Sequence, residues 1–302
     1  QVNRPLRIRQ AWSSSHNACF IISHTMREDY SVKVYGVILK YPPFVSKKVD
    51  RVEHVFTSGN GRVVIHNPLV HARPWKLFLY GLWAGEKVDM SKDAVQIVLS
   101  ENSGLYLSFM SFKEISKAID ELMSLRYMIY SGAELKTQIV YQSRYEEKER
   151  RLYLKLPAEF YRLCEEEGLR LYVPFLLHLQ GKNEIALFTI LSSRSENQML
   201  VNKLKIETLV RLAGLNTDTP LWKKVQSLTL AFQSLKEIGF IKDFAKNGDV
   251  FEIHRYDKNT LRLKALELKR LYDQRFEEIK AKARENMKKS RQKKKQAPEL
   301  PF

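Results

Sequence analysis

An α+β fold containing two units of one plan, each a helix pair followed by a β-hairpin, is predicted by three features of this sequence. Residues 206–244, IETLVRLAGLNTDTPLWKKVQSLTLAFQSLKEIGFIKDF, combine helical apolar spacing with turn residues and end in a strand. A weaker echo lies at 111–141. Short alternating apolar runs, punctuated by Gly, Pro, Asn and Asp, recur elsewhere.

At 302 residues the chain suits two domains with extensions. Its composition, 44% hydrophobic and 11% aromatic, can fill ordinary cores. Lys and Arg total 51 against 34 Asp and Glu, a formal charge of +17, which implies a polyanionic partner. No apolar run approaches a membrane span and the start lacks a signal-peptide centre. The expected setting is therefore the cytoplasm, in association with nucleoid or plasmid. The chain starts at Gln1, which leaves room for a preceding segment. Cys19 and Cys164 are isolated, so neither a zinc module nor a disulfide framework is encoded.

Residues 1–61 read as a β-rich extension, with FIIS and SVKVYGVILKY broken by Pro42-Pro43 and by Ser58-Gly59-Asn60-Gly61. Residues 62–141 form the first unit: a strand RVVIH, helices from Pro74 to Trp83, near 91–100 and from about 111 to 125, then two strands around Ser131-Gly132. The hydrophilic QSRYEEKERR, 142–151, reads as a linker. Residues 152–256 form the second unit: LYLKL, a helix at 157–167 ended by Gly168, the apolar LRLYVPFLLHL, a helix near 183–195, the strand QMLVNKL and the 206–255 stretch. Residues 257–302 are a charged helix and a basic tail expected to be disordered.

In the 206–255 stretch, Ile206, Leu209, Val210 and Ala213 line one helical face, and Gly214 stops that helix. Thr219 suits an N-cap and Pro220 a first helical position. On the next helix Val225, Leu228, Phe232 and Leu235 make a buried stripe. The opposite face collects Lys223, Gln226, Ser227, Leu230, Gln233 and Ser234, with Lys224 beside it. Short side chains allow close approach to a major groove, amides read base edges, and lysines hold phosphates. FIKDF and VFEIHR flank Asn247-Gly248, a favoured hairpin dipeptide, and Lys242 and Lys246 place charge on that hairpin. Helix, strand, helix, helix, strand, strand is the order of a winged helix.

The segment 111–141 repeats the plan: Ile115, Ala118, Ile119 and Leu122 face inward, while Lys113, Ser116, Lys117, Asp120 and Ser124 face outward. Two tandem winged-helix domains are therefore expected. Together they would contact a long, asymmetric duplex site without needing a dimer.

At this point the chain resembles the two-domain winged-helix plasmid replication initiator (Rep) proteins, which bind repeated origin sequences called iterons. The resemblance covers about residues 62–255 and rests on KNEIALFTILSSRS, KIETLVRLAGL and WKKVQSLTLAFQSLKEIGFI. It implies origin recognition, melting of adjacent A/T-rich DNA, recruitment of host helicase or initiator, and self-dimers formed through the first domain. The residues themselves point only to DNA binding, and a winged-helix transcription regulator is the alternative.

Between Lys280 and Lys295 lie Lys280, Lys282, Arg284, Lys288, Lys289, Arg291, Lys293, Lys294 and Lys295, with Glu285 the sole acid. This block suits sequence-independent phosphate contact. It has almost no apolar face to insert into a membrane. The final QAPELPF loosely resembles peptides that dock on sliding clamps, although Pro301 breaks that pattern.

No catalytic constellation or cofactor site is expected. There is no His-x-His for a rolling-circle nickase and no GxxxxGK[ST] loop for nucleotide. Glu165, Glu166 and Glu167 lie at a helix end without the aspartates of two-metal chemistry. His178, in an apolar run, is expected to be a satisfied core histidine.

Overall fold

The computed structural model describes residues 30–55, 61–100, 111–131, 133–194 and 200–296. The fold is α+β. Among the described residues there are four antiparallel sheets, with helices packed between and across them. The SGNGR turn (largely), Cys19 and the final QAPELPF (beyond Gln296) lie outside the described residues.

The segment expected to be an N-terminal extension is instead woven into the body. Strand β1 (Ser31–Tyr35) pairs with β10 (Gly168–Tyr172), from Ser31↔Tyr172 to Tyr35↔Gly168. Val32 and Val34 turn inward, and helix α1 (Gly36–Lys40) buries Ile38 and Leu39. Buried apolar side chains this regular would be stranded in water if the segment were merely appended. Tyr41 to Val45 then run buried as a loop, and β2 (Arg51–Val55) joins β3 (Arg62–His66).

Helix α2 (Arg73–Ala84) opens on Pro74 and is buried along most of its length, including Trp75, Leu77, Phe78 and Leu79. The helix expected near 91–100 is a strand. Strands β4 (Glu86–Met90) and β5 (Ala94–Leu99) form a hairpin, and AVQIVL has the period-2 burial of a half-buried strand. Helix α3 (Phe112–Ser124) carries a complete capping box, with Ser111 Oγ accepting from Glu114 N while Glu114 accepts from Ser111 N. Strands β6 (Arg126–Ser131) and β7 (Ala133–Gln138) follow as a hairpin; Gly132 is outside the described residues.

The expected linker at 142–151 is also a hairpin, with β8 (Gln142–Glu146) pairing with β9 (Arg151–Pro157). It reads as hydrophilic because β8 is an edge strand with exposed and half-buried residues and none fully buried. Strand β9 pairs with β5, so LYLKL belongs with the first unit's sheet, ordered β4-β5-β9-β8.

Helix α4 (Ala158–Glu167) and β10 lead into α5 (Val173–His178), followed by α6 (Lys182–Ser192), β11 (Val201–Lys205), α7 (Ile206–Leu212), α8 (Leu221–Glu237), β12 (Ile241–Asn247) and β13 (Val250–Arg255). From α6 onward the order is helix, strand, helix, helix, strand, strand. Their sheet is ordered β11-β13-β12, so the first strand pairs with the far arm of the hairpin.

The first unit does not copy this plan. Its sheet is ordered β2-β3-β6-β7, so β3 pairs with the near arm. The β4–β5 hairpin also separates α2 from α3, where the second unit has only a short turn between α7 and α8.

Both units share one apolar core. Trp75 lies 5.3 Å from Phe78 and 6.4 Å from Phe44, ring centre to ring centre, and its Nε1 donates to Thr189 Oγ1 on α6 at 3.4 Å. Helix α9 (Lys258–Gln296) docks by Leu261, Ala265 and Leu268 and then continues through the basic block, so as far as Gln296 the tail is helical where disorder is expected from its charge. Leu271, one turn further along, is exposed. At 39 residues and 1.5 Å each, α9 is about 58 Å long.

Candidate nucleic-acid interface

The α7–α8 corner is set by glycine and by packing. Ile206, Leu209, Leu212 and Ala213 are buried, while Val210 is half-buried against the core. Gly214 ends α7 at φ +62, and a Cβ there would lie 2.0 Å from the carbonyl oxygen of Phe44. Only glycine fits both the left-handed backbone and that approach. Lys182 Nζ donates to Val45 O at 2.8 Å and Gly214 O at 3.4 Å, fastening the buried loop to the corner. That position is partly desolvated, which lowers the Lys182 pKa.

Helix α8 starts one residue later than expected. Pro220 is its N-cap, no side chain caps it, and Thr219 lies in the preceding turn. Asn216 Oδ1 accepts from Asp218 N at 3.1 Å, and Lys224 Nζ donates to Thr217 O at 2.8 Å. Leu228, Ala231, Phe232 and Leu235 are buried, and Val225 packs at the edge of that stripe. Phe232 stacks on Phe244 at 5.4 Å and meets Phe251 at 4.9 Å, so the hairpin leans on the helix through three aromatic rings. Gly239 ends α8 at φ +73.

The outward face holds the expected set in three conditions. Lys223, Gln226 and Leu230 are exposed, Leu230 at 63%. Gln233 is exposed, and its Nε2 donates to Glu237 Oε1 at 3.0 Å. Ser227 and Ser234 are half-buried, and Ser234 Oγ donates to Glu184 Oε1 at 3.0 Å. Two apolar side chains escaped the sequence reading: Leu221 and Trp222, 63% and 64% exposed at the start of α8. Lys223 Nζ sits 5.3 Å from the Trp222 ring centre. Helical spacing puts Leu221 on the buried face; its exposure follows from its place in the first turn.

On the hairpin Lys242 and Lys246 are exposed. The turn is Gly248-Asp249, one residue beyond the expected dipeptide: Asn247 pairs with Val250, and Gly248 takes φ +61. Lys246 Nζ donates to Gly248 O at 2.9 Å and Lys236 pairs with Asp243 at 2.8 Å. The acidic charge near the hairpin is thereby partly neutralised.

On α3, Lys113 and Lys117 are exposed and Ser116 is half-buried. Lys117 lies 4.0 Å from Glu121, and Glu114 pairs with Arg73 at 2.5 Å. The capping bonds of Ser111, ahead of the Arg73 charge, hold the Glu114 pKa below the usual carboxylate range. A groove beside α3, lined by Arg73, Lys113, Lys117, Gln180 and Lys182, leads toward the start of α6. Lys288, Lys289, Arg291, Lys293, Lys294 and Lys295 fall in the last turns of α9, with their side chains outside the described ones.

Burial pushes the Cys164 thiol up to about 12. His178 is half-buried at the end of α5, bonded through Nδ1 to Pro174 O at 2.9 Å and edge-on to Tyr272. Among the described residues no cluster of three or more His, Cys, Asp or Glu could hold a metal, and no helix is long and apolar enough to cross a membrane.

No protein-family model matches the sequence. Nor does any curated protein match it. The structure is similar to that of domains 2 and 3 of RctB, at 10% identity and TM-score 0.48, covering 74% of this chain and 98% of that one. It is similar to the same degree to the Pi initiator protein in complex with iteron DNA: 10% identity, TM-score 0.48, and 77% and 100% of the two chains.

Proposed function

We propose that this chain is a non-enzymatic, sequence-specific duplex-DNA-binding protein, and that it serves as a plasmid replication initiator acting on repeated origin sites. The observation that carries the DNA-binding reading is the state of α8. One face is anchored by Leu228, Ala231, Phe232 and Leu235, while Lys223, Gln226, Leu230 and Gln233 stand uncovered beside a hairpin bearing Lys242 and Lys246. This arrangement supports a winged-helix reading, in which α8 would enter the major groove and the hairpin would meet the neighbouring backbone.

The charge of +17 supports a phosphate partner. Lys113, Ser116 and Lys117 on α3 supply a second contact, and the basic end of α9 adds sequence-independent affinity. The replication role rests on the sequence resemblance to Rep proteins, and with it come origin melting, recruitment of a host helicase or initiator, and self-dimers, while docking on a sliding clamp rests on the final QAPELPF alone.

Selection of bound sites from a random duplex pool tests this. A long asymmetric site, present in repeats beside the gene, supports the initiator. A single palindromic site at a promoter favours the transcription regulator instead. Recovery of no enriched sequence overturns sequence-specific binding altogether.

A further inference from the structure

Gln226, Leu230 and Gln233 form a row on α8 at spacings of four and three residues. At 100° per residue they fall within about 60° of one another, and at 1.5 Å per residue the row spans about 10.5 Å. That is about three base steps of 3.4 Å. The middle of the row is a leucine 63% exposed to solvent, with Ser227 and Ser234 on its other side. The other exposed apolar residues of the helix, Leu221 and Trp222, lie eight or nine residues away at its start.

An isolated apolar side chain between two amides is a poor protein-docking patch, which needs contiguous apolar area. It does match the major-groove edge of an A·T pair, where the adenine N6 and N7 groups lie beside the thymine C5 methyl. We infer that Leu230 contacts a thymine methyl, that Gln226 contacts an adenine edge beside it, and that the site read by α8 therefore carries A·T pairs under the middle of the helix. The described neighbours leave the Gln226 amide without a partner, so both its donor and its acceptor can face a base. Gln233 donates one of its two amide N–H groups to Glu237, and its oxygen remains to accept from a base amine, that of adenine or cytosine. This assignment rests on the DNA-binding reading above and specifies its chemistry.

The experiment replaces each thymine of the selected site, one at a time, by deoxyuridine, which removes only the methyl. Binding by the full chain is compared with binding by Leu230→Ala. The expected result is one thymine position at which the wild type loses about fourfold in affinity, the value of burying one methyl-sized group. Leu230→Ala should be indifferent to that replacement while still selecting the rest of the site.

A wild type indifferent to every replacement, yet still sequence-specific, overturns the assignment and leaves the DNA-binding reading standing. Equal sensitivity in Leu230→Ala also overturns it, since another residue would then be reading the methyl. If Leu230→Ala instead changes self-association without DNA, the leucine belongs to a protein contact and the assignment fails. Absence of any sequence-specific binding defeats the underlying reading itself.

Discussion

Ser234 Oγ donates to Glu184 Oε1 at 3.0 Å, joining the outward side of α8 to the first turn of α6. Glu184 also accepts from the backbone N–H groups of Gln180 and Gly181, at 3.0 and 2.9 Å, so one carboxylate caps α6 and holds α8 in place. Ser234 therefore positions the outward face of α8 as much as it belongs to it.

Replacing Glu184 by Ala should cost about 1 to 2 kcal/mol, because it removes a cap and the Ser234 bond together. Urea denaturation of the full chain reads this. An unchanged midpoint would mean that the bonds are not formed in solution.

Gly214→Ala should destabilise by about 2 kcal/mol or more, since the residue is held at φ +62 and the added Cβ would collide with the Phe44 carbonyl. A thermal melt measures it. Gly248→Ala, whose Cβ would meet nothing within 4 Å, should lose less, because backbone strain alone opposes it.

His54 is buried on β2 and stacked on Tyr41, and burial followed by the Arg211 charge lowers its pKa to about 4. An unfolded histidine titrates near 6.5, so between these values the unfolded chain binds a proton that the native chain does not. The stability contribution is whole above about pH 6.5 and is lost progressively as pH falls toward 4. It amounts at most to roughly 3 kcal/mol. Denaturation at a series of pH values should show this slope, and His54→Phe should flatten it.

Lys223→Ala should weaken binding to all duplexes alike and reduce the salt slope by about one. Lys224→Ala is the less clean variant, because Lys224 also ties the turn through Thr217. Titrations at several salt concentrations distinguish the two.

Deleting residues 280–302 removes nine Lys and Arg between 280 and 295. The slope of log affinity against log salt should fall by about 0.9 for each phosphate that the shortened chain no longer neutralises, leaving base preference intact. An unchanged slope would place the end of α9 away from the phosphates.

The second unit was legible in the sequence because its signals are local. Gly214, Gly239 and the Asn247-Gly248 dipeptide punctuate it, and the Leu228–Phe232–Leu235 stripe is regular. The register of the turn, by contrast, depends on which residue pairs with Val250, and a dipeptide preference does not fix that. The misread segments are both hairpins with one weakly apolar arm. AVQIVL passes for a helix because β4, its near partner, is mostly exposed and carries little strand signal, while its buried partner, β9, lies some sixty residues on, and the 142–151 hairpin passes for a linker because an edge strand can be polar on both faces. At the site, exposure of Leu230 was readable from helical angle, but the engagement of Ser234 with Glu184 was not, being a contact across 50 residues.

The antiparallel partnership of β1 with β10 also constrains how the chain is made. Val34 and Leu169 are neighbours in the finished molecule but leave the ribosome about 135 residues apart. A nascent chain must hold a Val- and Tyr-bearing strand unpaired until its mate emerges. A fragment cut at the apparent joint near 150 would expose β10 as an open edge, available to strands of other chains. The second unit and the N-terminal strand are thus tied together, and shuffling that unit alone onto another protein would carry a missing strand with it.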